Sequence, residues 1–147
     1  ACGVNRPETG GRTAPSAHNW QEISVYAALA QGLYRYDPAA HALHLAAASD
    51  LRALTGVQDF VATAPLDLVY VADFAKMTDA SDEDRVFLAA ADAAFVAQNV
   101  YLYCAQAGLA TVVRGLVDRA KLAPAMGLGP RERIVLAQTV GFPARGG

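Results

Sequence analysis

The sequence has few charged residues, few cysteines and no excess of positive charge, and each shortage excludes a class of function. Lys, Arg, Asp and Glu make up 18% of the 147 residues, and the formal net charge is −2. Because nucleic-acid-binding domains carry a basic face, this balance argues against DNA or RNA as a partner. Cys2 and Cys104 belong to no CxxC pair, so neither a redox dithiol nor a zinc site is indicated. A disulfide between them stays open, but two unpaired thiols are the simpler interpretation.

Signatures of nucleotide binding and hydrolysis are absent as well. The chain contains no GxSxG motif and no P-loop. Residues 127–130 hold the first two glycines of a GxGxxG motif, but they follow a predicted helix and run into proline, which indicates a turn. His41 and His44 would point to opposite faces of a strand, which argues against a shared metal. Chemistry carried by a bound cofactor would leave none of these signatures.

Apolar residues, in contrast, are abundant. Hydrophobic types make up 54% of a chain whose length suits one domain with a real core. Apolar surface in such excess favours a large subunit interface. Residues 93–113 contain no charge, but Gln98, Asn99 and Gln106 would be costly in lipid. We therefore predict a buried helix covered on one side by a second subunit, and no membrane span.

Hydrophobic periodicity predicts strands and helices in the order of an α+β domain. Residues 5–13 are polar and rich in turn formers, which indicates a loop. Ser81 and Asp84 form a variant capping box at the start of a long helix, and Gly108 ends it. The other predicted elements are strands at 23–29, 33–37 and 41–47, a short helix at 50–54, a buried strand at 64–74, a strand at 111–118, a short helix that starts at 119 and ends before Gly127, and a strand at 133–142.

The carboxylates of the long helix allow more than one interpretation. The acidic cluster Asp79–Asp84 could bind a cation, but helix capping and the helix dipole explain it without a metal. Asp92 lies within an apolar stretch, and a buried carboxylate needs a partner. We predict that Asp92 contacts an arginine or backbone donors rather than taking part in catalysis.

Three segments together resemble the nitroreductase family of flavoenzymes. Pro15–Gln21, PSAHNWQ, is similar to the P-S-x-x-N-x-Q segment of that family. Asp92–Gly115 resembles its long interface helix and the following turn, and Ile134–Pro143 resembles its last strand. The likeness is greatest to a short branch that includes FMN dehydrogenases oxidising azolines in modified peptides. The resemblance implies an α+β fold, with a nitroreductase-like mixed sheet flanked by helices and a long buried interface helix, in a single domain over residues 1–147.

The resemblance also implies a function. It implies a homodimer with FMN at the interface, and hydride transfer at flavin N5 between NAD(P)H or a substrate and a small organic acceptor. No catalytic side chain is implied, because the flavin carries the chemistry. The alternative is a dimeric flavin-binding or structural protein without turnover. The cofactor-binding residues carried over are Pro15, Ser16, Ala17, Asn19, Val113, Arg114 and Gly115.

Three of these residues have more specific expectations. Asn19 would exchange hydrogen bonds with the flavin edge, or would satisfy its own loop. Gly115 would let the ring approach closely. Arg114 would face the flavin, pair with Asp92 or lie at the surface.

The chain also departs from the family pattern. The arginine-rich N-terminal segment and the basic C-terminal tail that hold the FMN phosphate in the family have no counterpart here. The chain is therefore expected to lack its N-terminal segment and to hold FMN weakly or not at all. Arg12 and Arg145 remain as candidate anion ligands.

Overall fold

The computed structural model describes residues 2–144, so Arg145 lies outside the described residues. These residues form a two-stranded hairpin, a six-stranded sheet and two α-helices. Short 3-10 turns cover Ala17–Asn19 and Arg52–Leu54. The strands are β1 (Val4–Arg6), β2 (Gly11–Arg12), β3 (Ile23–Leu29), β4 (Gly32–Asp37), β5 (Ala42–Ala47), β6 (Leu66–Asp73), β7 (Ala110–Arg114) and β8 (Glu132–Gly141), and the helices are α1 (Asp82–Ala107) and α2 (Arg119–Ala125).

The large sheet has the strand order β5-β4-β3-β6-β8-β7. β6 and β7 run in the same direction and are joined through α1, but β8 lies between them and is antiparallel to both. Each neighbouring pair of described strands is therefore antiparallel. The predicted α+β fold, with flanking helices and a long helix, is confirmed. Among the described strands of this sheet, no two neighbours are parallel.

The predicted buried strand is β6, which lies near the centre of the sheet. Val69 and Val71 pack on the side of α2, and Tyr70 and Ala72 pack on the side of α1. All four side chains are fully buried. Because both faces of the sheet are covered, the strand is apolar at every position from Leu68 to Ala72 instead of alternating.

The ends of α1 follow their capping signals. The Ser81 hydroxyl accepts a hydrogen bond from the Asp84 N–H at 3.1 Å. Gly108 has φ +69° and ends the helix, because glycine adopts left-handed backbone without a steric penalty. Both predicted caps are confirmed.

The two faces of α1 differ sharply in burial. Ala89, Ala93 and Ala97 are buried against the sheet, where small side chains let the helix approach closely. The opposite face is open, so the full burial predicted for α1 is not reached in the single chain. By length and composition α1 would also suit a membrane span. The exposed large apolar side chains on the helix are Val86, Phe87, Phe95, Leu102 and Tyr103.

The N-terminal region corrects another prediction. The loop predicted over residues 5–13 is instead the hairpin of β1 and β2. Gly10 turns the chain with φ +68°, and the Arg6 guanidinium donates to the Arg12 carbonyl at 2.7 Å. Backbone hydrogen bonds and the arginine contact stabilise this hairpin. It therefore needs no alternating apolar residues, and its sequence does not show the pattern of a strand. Cys2 and Cys104 are both unpaired, as predicted.

Candidate functional site

The segment Pro15–Gln21 has an unusual backbone. His18, Asn19 and Gln21 have φ values of 49°, 55° and 50°, in the left-handed region that L residues rarely adopt. Such conformations cost roughly 1–3 kcal/mol each, and they persist where the surrounding structure holds them, commonly at ligand sites. The strained geometry marks this segment as the first candidate site.

Hydrogen bonds from its first residues anchor the segment. The Ala17 N–H donates to Asp92 Oδ2 at 2.8 Å, and the Gln21 N–H donates to Ser16 Oγ at 2.8 Å. The Ser16 hydroxyl in turn donates to Glu22 Oε2 at 3.1 Å. The predicted backbone partner of Asp92 is thus confirmed, and the arginine partner is wrong. Ser16 and Ala17 hold the segment in place, and their contact with a flavin stays a prediction.

Glu22 is a buried acid that the sequence reasoning missed. Its side chain is 0% exposed, beside Asp92 at 4%, and its Oε1 atom has no hydrogen-bond partner within the described chain. Burial raises the pKa of Glu22, and the neighbouring Asp92 carboxylate raises it further. The sequence signal was a glutamate directly before an apolar strand. This pair lies immediately behind the strained backbone.

The tip of the segment is exposed. Pro15, His18 and Asn19 face solvent, and the His18 and Trp20 rings stack with their centroids 4.5 Å apart. Asn19 Oδ1 accepts a hydrogen bond from the Gln21 side chain at 3.1 Å. The tip therefore presents an amide and an apolar surface outward, while Asn19 also makes a contact within its own loop.

The second predicted group, Val113–Gly115, lies at the end of edge strand β7. The Val113 N–H donates to the Tyr101 hydroxyl at 2.8 Å, so this amide is already used within the chain. Gly115 borders open space, because an added Cβ would meet only a Leu136 methyl at 4.0 Å. Close approach of a ring to Gly115 is sterically allowed.

Arg114 points into the protein and is 4% exposed. Its guanidinium contacts Asp67 at 2.9 Å, the Thr55 carbonyl at 2.7 Å and the Thr139 hydroxyl at 3.0 Å. The predicted alternatives of an Asp92 partner and a surface position are therefore wrong, and the flavin contact stays a prediction. Burial raises the pKa of Asp67 and lowers the pKa of Arg114, so desolvation outweighs their mutual attraction.

The surroundings of Arg114 are tightly packed. A Cβ added at Gly56 would lie 1.9 Å from Arg114 Nη1, so only glycine leaves room for the guanidinium. The side-chain oxygen of nearby Gln58 is buried without a partner in the described chain. Sequence reasoning missed the packing of Gly56 and Gln58 around Arg114, because it joins segments far apart in the chain.

The two predicted groups do not meet within one chain. Asp92 and Tyr101 of α1 anchor them, and these residues are about 14 Å apart along a helix that rises 1.5 Å per residue. Across the sheet, Arg114 pairs with Ala137 on β8, and β6 separates β8 from β3. The two groups therefore lie at different places along α1.

Comparison with known proteins decides the family. The sequence profile of the nitroreductase family matches residues 8–142. The chain belongs to the nitroreductase family. No curated protein sequence matches it. As a member of this family, the chain belongs to the general class of flavin oxidoreductases.

Solved structures agree with this assignment. A candidate nitroreductase from Ralstonia eutropha JMP134 is 51% identical, with a TM-score of 0.93 over 99% of this chain and 69% of its own. The E. coli microcin synthetase complex McbBCD matches at 22% identity and a TM-score of 0.84, over 97% of this chain and 59% of its own. A candidate nitroreductase from Desulfovibrio desulfuricans, solved with FMN, matches at 22% identity and a TM-score of 0.66, over 90% and 68%. The last two likenesses concern the fold.

Proposed function

We propose that the protein is an FMN-dependent oxidoreductase that moves hydride equivalents between NAD(P)H, or a substrate, and a small organic acceptor. Family membership supports the general class. The observation that carries the proposal for this chain is the strained and anchored backbone of Pro15–Gln21, whose exposed tip is held from behind by Asp92.

The exposed groups of the chain fit a flavin. An isoalloxazine ring needs apolar contact on its faces and hydrogen-bonding groups along its polar edge. Pro15 and the amide of Asn19 offer these at one place, and the open space beside Gly115 offers room at another. When bound, FMN supplies hydride acceptance and donation at N5.

The chain itself supplies position and environment rather than an acid or a nucleophile. Asp92 and Ser16 fix the backbone of the tip, so its hydrogen-bonding groups are ordered before a ligand arrives. The buried Arg114–Asp67 pair ties the end of β7 to Thr55 and so fixes the position of Gly115. These contacts hold two walls of the proposed site without a reorganisation cost during turnover.

We further propose a homodimer in which each flavin site combines Pro15–Asn19 of one chain with Val113–Gly115 of the other. The outer face of α1 supports this arrangement, because Phe87 is 69% exposed and Leu102 is 61% exposed. Large apolar side chains left this exposed on one helix are typical of an interface. Association through α1 would place the anchors of both groups near the same interface.

The visible absorption spectrum of the purified protein tests the proposal. The protein is incubated with FMN, desalted and scanned, and about one flavin per chain is expected. Anaerobic addition of NADPH or NADH should bleach the flavin band, and a quinone or nitroaromatic acceptor should restore it. Protein that stays colourless would contradict the flavin proposal. Bound flavin that no donor reduces would favour a flavin-binding protein without turnover.

A further inference from the structure

Two buried carboxyl groups, those of Glu22 and Asp92, meet behind the strained segment. Glu22 is 0% exposed and Asp92 is 4% exposed, and both line one small cavity of about 20 Å³. Consecutive residues of the segment contact them. The Ser16 hydroxyl donates to Glu22 Oε2, and the Ala17 N–H donates to Asp92 Oδ2. Two ionised carboxylates within hydrogen-bonding reach and out of water would repel each other strongly.

No basic side chain neutralises this pair. In the described part of the chain, neither Glu22 nor Asp92 forms an ion pair. Arg12 of β2 and Lys76 after β6 face Glu22 from neighbouring elements, but each donates to a backbone carbonyl instead. The Cys2 thiol lines the same cavity, and burial raises its pKa, so it adds no charge. The repulsion within the pair therefore has to be removed in another way.

One oxygen of Glu22 indicates where a proton belongs. Glu22 Oε2 accepts from Ser16, whereas Oε1 is buried with no partner in the described chain. Ionised carboxylates only accept hydrogen bonds, so Glu22 and Asp92 cannot bond to each other while both are charged. A protonated Glu22 can donate to Asp92. Burial raises the pKa of Glu22, and the Asp92 carboxylate raises it further, which favours this protonated form.

We propose that Glu22 and Asp92 share one proton, and that this proton fixes the backbone of Ser16 and Ala17 behind the exposed tip. With the proton in place, the pair is a single anion joined by one carboxyl–carboxylate hydrogen bond. Glu22 is then a positioning residue, because it contacts Ser16 and Asp92 rather than the proposed flavin. When the proton is lost to solvent, the two carboxylates separate and displace Ser16 and Ala17, to which they are bonded.

The direction of the pH effect follows from the raised pKa of Glu22. Below that pKa the pair keeps its proton, and the segment is held in its strained conformation. As pH rises through that pKa, the hold is lost and the strain at His18, Asn19 and Gln21 relaxes. The segment is therefore ordered at lower pH and loosened at higher pH. The consequence for FMN binding rests on the proposed function, whereas the shared proton does not.

Infrared spectroscopy of the flavin-free protein tests the shared proton. A protonated carboxyl has a carbonyl stretching band that an ionised carboxylate lacks, and Glu22 should retain this band above the pH range in which exposed carboxyls ionise. Glu22→Gln should remove the contribution of Glu22 to the band. Asp92→Asn should shift the loss of that contribution to lower pH, because the charge beside Glu22 is gone. Glu83→Gln, at an exposed glutamate, is the control and should match the wild type.

Only the difference between wild type and variant reports the pair. Asp67 is also buried, and burial raises its pKa, but it contacts Arg114 and is unaltered in each of these variants. Its band therefore cancels in the difference spectrum. Identical spectra of the wild type and Glu22→Gln across the pH range would overturn the shared proton. A loss at the same pH in Asp92→Asn as in the wild type would overturn it as well.

Trp20, the single tryptophan of the chain, reports the position of the segment without any ligand. Its emission maximum in the wild type should shift over the pH range in which the Glu22 band disappears, and Glu22→Gln should keep the low-pH maximum throughout. His18 stacks on Trp20 and is unaltered in the variants, so any effect of its ring is common to all of them. Loss of the Glu22 band without a change at Trp20, or the same shift in Glu22→Gln, would overturn the positioning role.

Fluorescence titration with FMN then connects the pair to the proposed function. Across the same pH range, the FMN affinity of the wild type should fall about tenfold relative to that of Glu22→Gln. The comparison cancels the titration of the FMN phosphate, because both proteins bind the same ligand. Parallel pH profiles would overturn the role of the pair in flavin binding. A protein whose Glu22 band and Trp20 emission behave as expected but which binds no FMN would contradict the proposed function and leave the shared proton standing.

Discussion

The Asp92 carboxylate on α1 accepts a hydrogen bond at 2.8 Å from the backbone N–H of Ala17, 75 positions earlier in the chain. This contact joins the longest helix to the segment with the most strained backbone. Asp92 is 4% exposed and lies beside the buried Glu22, so a carboxyl pair supports the candidate site from behind.

Replacement of Asp92 should destabilise the segment it holds. In Asp92→Ala the half-buried Ala17 N–H loses its acceptor, which should lower the free energy of unfolding by about 1–3 kcal/mol. Urea denaturation measures this difference. Asp92→Asn retains an acceptor oxygen and should recover most of the loss. Equal destabilisation in both variants would show that the charge, rather than the hydrogen bond, carries the effect.

Glu22 should make the protein less stable as pH rises. Because its pKa is raised in the folded state, the folded protein binds the proton more tightly than the unfolded chain does. Its contribution is complete below the ordinary glutamate pKa of about 4.3 and is lost as pH rises through the raised folded value. Glu22→Gln should therefore flatten the fall of Tm between pH 4 and 8. The exposed Glu83→Gln change serves as the control, and an unaltered pH profile in Glu22→Gln would contradict this assignment.

Loss of the Arg114 guanidinium should be among the more damaging substitutions. Arg114→Met leaves Asp67 buried without its cation, which typically costs about 3–5 kcal/mol. Denaturant midpoints should show the loss, and the Arg114→Met/Asp67→Asn double variant should recover part of it. Arg133→Met, at an exposed arginine, should change stability little. Similar effects at positions 114 and 133 would contradict the structural role of the buried pair.

Two substitutions at Asn19 distinguish the role of its side chain from the role of its backbone conformation. Both Asn19→Ala and Asn19→Gly remove the amide, so each should weaken FMN binding about tenfold if that amide contacts the flavin. Only alanine adds strain, because the position has φ 55° and glycine adopts that conformation freely. Flavin fluorescence gives the affinities, and thermal unfolding gives the strain. Unchanged FMN affinity in both variants would contradict the placement of the flavin at this segment.

The outer face of α1 should determine the oligomeric state. A charge introduced at Phe95→Glu should convert a dimer to a monomer in analytical ultracentrifugation, because it would be buried without a partner at the interface. Val57→Glu changes an exposed apolar residue away from α1 and should leave the mass unchanged. A wild-type monomer at micromolar concentration would contradict the proposed dimer.

The sequence by itself determined the local elements of this protein. The cap at Ser81, the stop at Gly108 and the apolar run of β6 depend on residues close together in the chain, so periodicity and capping rules located them. The hairpin of β1 and β2 escaped the same rules, because backbone bonds rather than an apolar pattern hold it.

Only the tertiary structure determined which residues the buried charged side chains contact. Asp92 faces a backbone N–H and not an arginine, Arg114 turns inward to Asp67, and Glu22 lies buried beside Asp92. Such pairings depend on where the chain folds back on itself. Local sequence propensity does not predict these contacts, because each of them joins segments that are distant in sequence.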